Sequence, residues 1–160
     1  ASSGGTVSHI HDFVCGAENH HGGQVVAVEI SPRMSRGLIS LSESRPGMVP
    51  ILGDARKSLA VAPFMRSKAD WIHQDLSIAD QAENFITIAR STLQAGGIGL
   101  LSLKAASERH SEGDDFSRFS SAEKLLKESE LELVERIDIS KFHDQHVVFV
   151  VKLLKGERTD

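Results

Sequence analysis

The chain has 160 residues, of which 40% are hydrophobic and 25% charged, with a formal net charge of −4. This length allows one domain with a substantial core, and the acidic balance argues against broad, independent nucleic-acid binding, which relies on neutralising phosphates. No apolar run approaches the about 20 residues of a membrane span, and the N-terminus lacks the basic and apolar regions of a signal peptide. The single Cys15 cannot form an internal disulfide, so an intracellular protein is expected.

The chain opens with a loop of small residues that leads into a predicted helix. The loop comprises Ala1, Ser2, Ser3, Gly4 and Gly5, and the apolar residues Val7, Ile10, Phe13 and Val14 then recur at helical spacing. Such a loop lets the backbone approach a ligand closely and directs the free N–H groups of the helix towards it. Alone, the pattern is more typical of a flexible terminus, and the strand-end acids described below favour a ligand-binding loop.

The sequence then alternates between predicted strands and helices. The patterns predict strands at 24–30, 48–52, 69–75 and 98–103, and helices from Pro32 to about 45 and at 80–94. Ser31 is the predicted N-cap of the first of these helices, and Ala95-Gly96-Gly97 is the predicted terminator of the second. A short irregular or helical piece is expected through Leu59, Val61 and Phe64.

The last third predicts a polar loop at 105–120, a helix at 121–129 and strands at 131–139 and 147–154. The connection 140–146 is too short for a crossover helix, so the last two strands should be antiparallel. The fold expected is a three-layer α/β domain over residues 1–160, with a mostly parallel sheet and a terminal antiparallel strand. Because a nucleotide-binding loop normally follows a strand, we expect an N-terminally truncated chain that lacks the first strand of its sheet.

Polar residues stand where the predicted strands end. Glu29, Asp54, Asp75 and Lys104 lie at carboxyl ends, and His146 lies at the start of the antiparallel strand, so all five are expected at one edge of the sheet. Glu29 follows the loop at the spacing at which an acid accepts hydrogen bonds from ribose hydroxyls. Asp54 could accept from an adenine amino group, with Ala55 contributing backbone, or could equally be a surface acid. A solvated ion pair is the commoner role of residues such as Asp75 and Lys104, and their strand-end positions keep a catalytic role open.

The histidines and the cysteine do not predict a metal site. His9 and His11 are two residues apart and point to different helix faces, and His20 and His21 are adjacent in a loop without Cys or carboxylates at ligand spacing. Solvated or capping histidines are the interpretation we favour, and Cys15 is expected to be a buried small hydrophobe.

Seven segments resemble motifs of fibrillarin and the archaeal fibrillarin-like proteins, in order and at matching spacing. Residues 1–9 resemble the cofactor loop GASSGTTVSH, 28–33 resemble VEFSxR, 53–56 resemble EDAR, 69–81 resemble DVIFADVAQPDQ, 95–97 and 103–105 resemble NGG and IKA, and 144–148 resemble RDHAVV. The resemblance covers residues 1 to about 151, and the first two motifs together are fairly specific for the family.

The resemblance implies a methyltransferase that uses S-adenosylmethionine to methylate ribose 2′-hydroxyls of rRNA, with tRNA as a further candidate substrate. It further implies a catalytic subunit of a box C/D guide ribonucleoprotein, in which a scaffold protein docks on the enzyme and guide RNA selects the target nucleotide. The acidic net charge agrees, since guide pairing and other subunits would supply the specificity. The location would be cytoplasmic if the source is archaeal and nucleolar if it is eukaryotic.

The resemblance also implies site residues. The family's catalytic Lys-Asp-Lys-His set maps its last three members onto Asp75, Lys104 and His146, while the first Lys lies upstream of the cofactor loop in relatives. The implied cofactor-binding residues are Ala1, Ser2, Ser3, Gly4, Thr6, Val7, Glu29, Ile30, Asp54, Ala55, Asp75 and Ile78. Ile78 stands where relatives have Gln, and His73 and Gln74 replace apolar and small residues.

Two other functions remain open from the sequence. A nicotinamide-dependent oxidoreductase would also suit the spacing of Glu29, although a full G-x-G-x-x-G is absent and dinucleotide folds need no terminal antiparallel pair. A shift in melting temperature with S-adenosylmethionine would favour the methyltransferase, and a shift with a nicotinamide cofactor would favour the oxidoreductase. A non-catalytic scaffold subunit of the same fold is the third possibility, and methyl transfer by the full-length protein with guide RNA would exclude it.

Overall fold

The computed structural model describes residues 1–57, 61–107, 114–143 and 145–154. The chain divides into two compact units, Ala1–Ser67 and Lys68–Asp160, and each combines strands with helices. The predicted path through Leu59, part of the predicted loop 105–120 and Asp144 of the last connection lie outside the described residues. Within the described residues, no helix is both long and apolar enough to cross a bilayer.

The first unit places two helices beside a pair of parallel strands. Its elements are α1 (Gly5–Val14), β1 (Val25–Glu29), α2 (Pro32–Glu43) and β2 (Met48–Leu52), with single 3₁₀ turns at Ala17–Asn19 and Ala62–Phe64. The register of β1 on β2 runs from Val25 opposite Met48 to Glu29 opposite Leu52, so the two strands end level with each other. As predicted, the Ser31 side chain caps α2 by accepting a hydrogen bond from the Met34 N–H, at 3.4 Å.

The core of this unit joins both helices to the strands. Val7 of α1, Ala27 of β1, Leu38 of α2 and Met48 of β2 form one buried cluster. Leu38 is fully buried, and the packing of α2 on the two strands and on α1 stabilises the unit that carries the loop before α1 and the carboxyl ends of β1 and β2. This arrangement matters for the site, because the predicted ligand residues of the unit lie on that loop and at those strand ends.

The second unit is built on a four-stranded sheet with two helices. Its elements are β3 (Ala69–Asp75), α3 (Gln81–Thr92), β4 (Leu93–Lys104), a 3₁₀ turn at Ala105–Ser107, α4 (Asp115–Lys127), β5 (Leu131–Asp138) and β6 (His146–Leu153). The strand order is β3-β4-β6-β5. Strands β3 and β4 are parallel, whereas β6 is antiparallel to both β4 and β5.

One face of this sheet is the core and the other carries polar residues. Leu101, Leu103 and Phe149 are fully buried, and they cluster with Phe85 of α3 and Leu126 of α4. Since side chains alternate along a strand, the residues between these point to the opposite face. The polar residues at the ends of β3 and β4 and at the start of β6 share that opposite face.

The predicted α/β class with an antiparallel last pair of strands is confirmed. Two boundaries are wrong. The helix predicted at 80–94 ends at Thr92, and the terminator predicted at 95–97 belongs to β4, because Leu93 pairs with Ala69 before the register of β3 on β4 shifts. The predicted loop at 115–120 is helical, because Asp114 is an N-cap whose Oδ1 accepts from the Ser117 N–H at 2.9 Å, so α4 begins at Asp115.

Candidate functional site

The loop that precedes α1 is hydrogen-bonded to the end of β1. The Ala1 amino group donates to the Val28 carbonyl at 3.0 Å and to Glu29 Oε2 at 3.2 Å. The Ser2 N–H donates to the same carboxylate oxygen at 2.5 Å. These contacts bring the loop and the Glu29 carboxylate together, as the sequence predicted, while the side chains of Ser2 and Ser3 remain exposed.

Gly4 brings this loop into close contact with α2. Its φ is +102°, a backbone conformation that favours glycine, and the residue is buried. A Cβ at this position would lie 2.5 Å from Leu41 Cδ2 and 3.3 Å from Leu38 Cδ1. Beyond it, Thr6 is exposed in the first turn of α1 and Val7 is buried in the core. The loop therefore depends on glycine both for its backbone conformation and for its packing.

Replacing Gly4 should destabilise the first unit. We expect Gly4→Ala to lower the free energy of unfolding by about 1–3 kcal/mol, because the new methyl group is both strained and crowded. Chemical denaturation followed by circular dichroism measures this. Gly5→Ala, at the start of α1, is the matched control, because a methyl group there would have no atom within 4 Å among the described residues. Equal effects of the two substitutions would contradict this account of the loop.

The Glu29 carboxylate is held by the backbone on both sides. Besides the loop, the Ser31 N–H donates to Oε1 at 2.8 Å. Partial burial raises the pKa of Glu29, but the hydrogen bonds from Ser31, Ser2 and the Ala1 amino group outweigh burial and the net shift is downward. The carboxylate is thus ionised at neutral pH and kept at the strand end as a hydrogen-bond acceptor.

Asp54 follows β2 and forms an ion pair with Arg56. The guanidinium Nε donates to Oδ1 at 2.9 Å and to Oδ2 at 3.0 Å, and Nη2 donates to Oδ2 at 2.7 Å. The backbone N–H of Arg56 also donates to Oδ1, at 3.0 Å. These hydrogen bonds from Arg56 lower the pKa of Asp54 to about 2. Sequence reasoning assigned no role to Arg56, although its position two residues after the acid is the signal that could have indicated it.

Two apolar side chains are exposed beside these acids. Ile30, directly after β1, is 63% exposed, and Leu52, the last residue of β2, is 57% exposed. Ala55 is half-buried next to Asp54. Sequence reasoning proposed Ile30 but missed Leu52, which pairs in register with Glu29. The carboxyl ends of β1 and β2 thus offer two acids flanked by exposed aliphatic surface.

In the second unit, the strand ends bring together Asp75, Lys104 and His146, which we call the strand-end triad. Asp75 pairs in register with Ser102, and Lys104, two residues further along β4, pairs with His146. Asp75 is exposed, whereas Lys104 and His146 are half-buried. Within the described part of the chain, no ion pair joins Asp75 to Lys104. Their shared sheet face leaves an acid and an amine available for other partners.

His73 extends this polar face away from the strand ends. Its Nε2 lies 3.0 Å from Ser102 Oγ, on the strand next to its own. Burial lowers the pKa of His73, and the negative charge of Asp75 opposes that shift. Sequence reasoning noted His73 only as a departure from the family pattern, because its partner lies on another strand. Ile78 is half-buried in the segment between β3 and α3.

The remaining histidines include both buried and exposed residues. His11 is 2% exposed, with Nε2 at 2.9 Å from the Pro46 carbonyl and Nδ1 at 3.3 Å from Arg45 Nη1, so the expectation of a solvated or capping residue is wrong there. His20 is exposed, and its Nδ1 lies 2.9 Å from the Ala17 carbonyl. Cys15 is fully buried, as predicted, and burial raises the pKa of its thiol.

Comparison with known proteins decides the family. A sequence model of fibrillarin matches residues 1–155, which span both units. The chain belongs to the fibrillarin family. The fibrillarin-like rRNA/tRNA 2′-O-methyltransferase of Methanocaldococcus jannaschii is 34% identical over 150 residues, which cover 94% of this chain and 62% of that protein. This fibrillarin-family chain therefore spans less than two thirds of the length of that relative.

Two solved fibrillarin structures resemble the fold closely. A chain of the fibrillarin/Nop5p complex superposes with a TM-score of 0.83 at 27% identity, covering 94% of this chain and 68% of that chain. Aeropyrum pernix fibrillarin, solved with natively bound S-adenosyl-L-methionine, gives a TM-score of 0.75 at 26% identity and covers 94% of this chain and 62% of that chain.

Proposed function

We propose that this fibrillarin-family protein methylates ribose 2′-hydroxyls of rRNA, and of tRNA, with S-adenosylmethionine as methyl donor. The observation that carries the proposal is the Glu29 carboxylate, fixed at the end of β1 by the loop that opens α1. An ionised acceptor beside a loop of backbone N–H groups suits the diol of an adenosine ribose. The names of the M. jannaschii and A. pernix relatives supply the reaction and the cofactor.

The first unit has the residues that an adenosine cofactor requires. Glu29 accepts from the ribose hydroxyls, Asp54 accepts from the adenine amino group, and Ile30 packs on the base. Gly4 holds the loop backbone in close contact with α2, and Ser2 and Ser3 before it are exposed. The other proposed cofactor residues of this unit are Ala1, Ser2, Ser3, Gly4, Thr6, Val7 and Ala55, and those of the second unit are Asp75 and Ile78.

The second unit supplies the groups that act on the ribose oxygen. The bound cofactor contributes a methyl group that its sulfonium already activates. Asp75 orients the hydroxyl or the lysine that lies upstream of the cofactor loop in relatives, and Lys104 stabilises the negative charge that develops on the oxygen. His146, directly opposite Lys104 on β6, fixes the geometry of the pair. The work of the protein is mostly positioning, because the methyl donor needs no further activation.

The domain organisation, the partners and the location of the enzyme are part of the same proposal. The family model extends through both units, which supports one methyltransferase domain over residues 1–160. We place the enzyme in a box C/D ribonucleoprotein with a scaffold protein and guide RNA, because a solved relative is in complex with Nop5p. The M. jannaschii and A. pernix relatives are archaeal, which favours a cytoplasmic location over a nucleolar one.

Exposed apolar residues on α1 and α2 are the surface that we assign to the scaffold protein. Phe13 is 86% exposed and Ile39 is 47% exposed. We expect Phe13→Glu to weaken scaffold binding about tenfold or more, as for an aromatic interface anchor, and expect the protein alone to bind guide RNA poorly. Calorimetry with the purified scaffold measures the first effect. Phe116→Glu on α4, which alters another exposed Phe, is the control, and equal losses would contradict the assignment.

The proposal is tested by cofactor binding and transfer in the full-length protein. S-adenosylmethionine should raise the melting temperature, while a nicotinamide dinucleotide at the same concentration should not. With scaffold and guide RNA present, tritium from the labelled methyl group should enter a guide-matched RNA and not a mismatched one. Stabilisation by the dinucleotide alone would favour an oxidoreductase, and cofactor binding without transfer would favour the non-catalytic scaffold subunit.

A further inference from the structure

A buried glutamine holds the backbone of Lys104 by two hydrogen bonds. Gln81, the first residue of α3, is completely buried. Its side-chain Nε2 donates to the Lys104 carbonyl at 3.0 Å, and its Oε1 accepts from the Lys104 N–H at 3.1 Å. Burying a primary amide costs free energy unless its donors and acceptors are paired, and here they are paired with the peptide groups of one residue.

The end of β3 explains why a side chain, rather than another strand, bonds the backbone of Lys104. The ladder between β3 and β4 ends where Asp75 pairs with Ser102, two residues before Lys104. In an extended strand, the N–H and C=O of one residue point to the same side, so both groups of Lys104 face the place where β3 has stopped. The primary amide of Gln81 presents the donor and acceptor that a further strand residue would have presented. The side chain therefore continues the ladder past the end of β3.

A second glutamine connects this amide to the strand that carries Asp75. Gln74 is buried and precedes Asp75 at the end of β3, and its Nε2 donates to the Gln81 carbonyl at 2.9 Å. Two glutamines thus link the end of β3, the start of α3 and the end of β4. The backbones beside Asp75 and Lys104 are fixed relative to each other through buried hydrogen bonds rather than through contact of the two charged side chains.

We propose that Gln81 is a positioning residue for methyl transfer, which acts by fixing the backbone of Lys104 and hence the direction of its side chain. This inference rests on the proposed function of Lys104. A lysine has four side-chain torsions, so the place that its ammonium reaches depends on a rigid starting point at Cα and Cβ. Without the amide, the N–H and C=O of Lys104 lose the partner that holds them on the β3 side, and small displacements of a catalytic group are costly.

The test compares two buried polar residues on the same helix. Gln81→Met keeps the length and volume of the side chain but removes both hydrogen bonds. Thr92→Val is the matched control, because Thr92 is also buried and its Oγ1 bonds only within α3, to the Ile88 carbonyl at 2.7 Å. Both changes should lower the melting temperature, so stability alone does not separate a positioning role from a structural one.

Two measurements are decisive: the exchange rate of the Lys104 amide, and whether the substitution changes kcat, KM or both. By hydrogen exchange, Gln81→Met should speed the exchange of the Lys104 amide about tenfold or more, while Thr92→Val should not. In the full-length complex with scaffold and guide RNA, Gln81→Met should lower kcat by about 10- to 100-fold with KM for S-adenosylmethionine nearly unchanged. Thr92→Val should leave both constants near the parental values.

A second variant keeps the inference testable if Gln81→Met does not fold. A protonated Glu at position 81 can accept from the Lys104 N–H and donate to its carbonyl, whereas an ionised one cannot donate. Burial raises the pKa of a carboxyl group, so the kcat of Gln81→Glu relative to the parental protein should rise as pH falls. A pH-independent ratio would count against the inference.

The outcomes separate this inference from the proposed function. If the parental complex transfers methyl groups and Gln81→Met keeps its kcat, the inference is wrong and the proposed function stands. If exchange at Lys104 is unchanged in Gln81→Met, the inference is equally overturned. If the parental complex itself transfers no methyl group, the proposed function is wrong, and the inference that rests on it falls as well.

Discussion

Replacing Asp75 or Lys104 with Ala should lower methyl transfer by about two orders of magnitude or more in the full-length protein assembled with its guide RNA and scaffold. The reason is chemical, since the proposed role of Asp75 is to orient the reacting hydroxyl and that of Lys104 is to stabilise negative charge on its oxygen. Single-turnover transfer with saturating cofactor and guide measures the step itself. His146→Ala should cost less, because its proposed role is to orient the pair.

The control variants remove the same kinds of charge from the other end of the sheet. The first control is Asp70→Ala, near the start of β3, and the second is Lys152→Ala on β6, where Lys152 pairs with Ile98. Both variants should transfer methyl groups at close to the parental rate. The double variant of Asp75 and Lys104 should cost less than the sum of the single variants, as expected for groups that act as a unit. Near-normal turnover in both single variants would mean that these residues play no part in the reaction.

The second large effect that we expect is a loss of affinity for S-adenosylmethionine. Glu29→Ala should weaken S-adenosylmethionine binding by about 1–3 kcal/mol, the range for losing charge-assisted hydrogen bonds. The substitution also removes the acceptor for the loop N–H groups, so part of the loss comes from a less ordered loop. Isothermal titration calorimetry measures the affinity, and circular dichroism shows whether the variant remains folded.

A matched acid separates the role of Glu29 from a general effect of charge. Glu43, the last residue of α2, is exposed and lies in the same unit, so Glu43→Ala should leave the affinity unchanged. Glu29→Gln is informative as well, since it keeps the shape but weakens acceptance from hydroxyls and N–H groups. Calorimetric affinity equal to that of the parental protein in Glu29→Ala would rule out the proposed ribose contact.

The sequence predicted most of the fold because local patterns and tertiary structure agree. The bounds predicted for the second and third strands, 48–52 and 69–75, match β2 and β3. The prediction failed where a distant partner decides the local structure. The helix predicted at 80–94 with a terminator at 95–97 ends at Thr92, and Leu93 is a strand residue because it pairs with Ala69. Tertiary hydrogen bonding overrode the local glycine signal there.

The candidate site was predictable in part for the same reason. Strand-end acids can be read from hydrophobic runs that stop at a polar residue, and Glu29 and Asp75 lie at such ends. Buried polar contacts between distant residues leave no local pattern. Gln81 and Lys104 are 23 positions apart, and nothing near either residue indicates that they are hydrogen-bonded. His11, which contacts Pro46 35 positions away, was misjudged for the same reason.

The central claim is that the protein methylates one ribose oxygen chosen by a guide. Mass spectrometry of the RNA after reaction with S-adenosylmethionine, scaffold and guide RNA identifies the modified nucleotide and the methylated atom. We expect a single 2′-O-methyl group at the guided position, and no transfer when that nucleotide is replaced by its 2′-deoxy form. A methyl group on a base, or transfer that persists to the 2′-deoxy substrate, would contradict the claim.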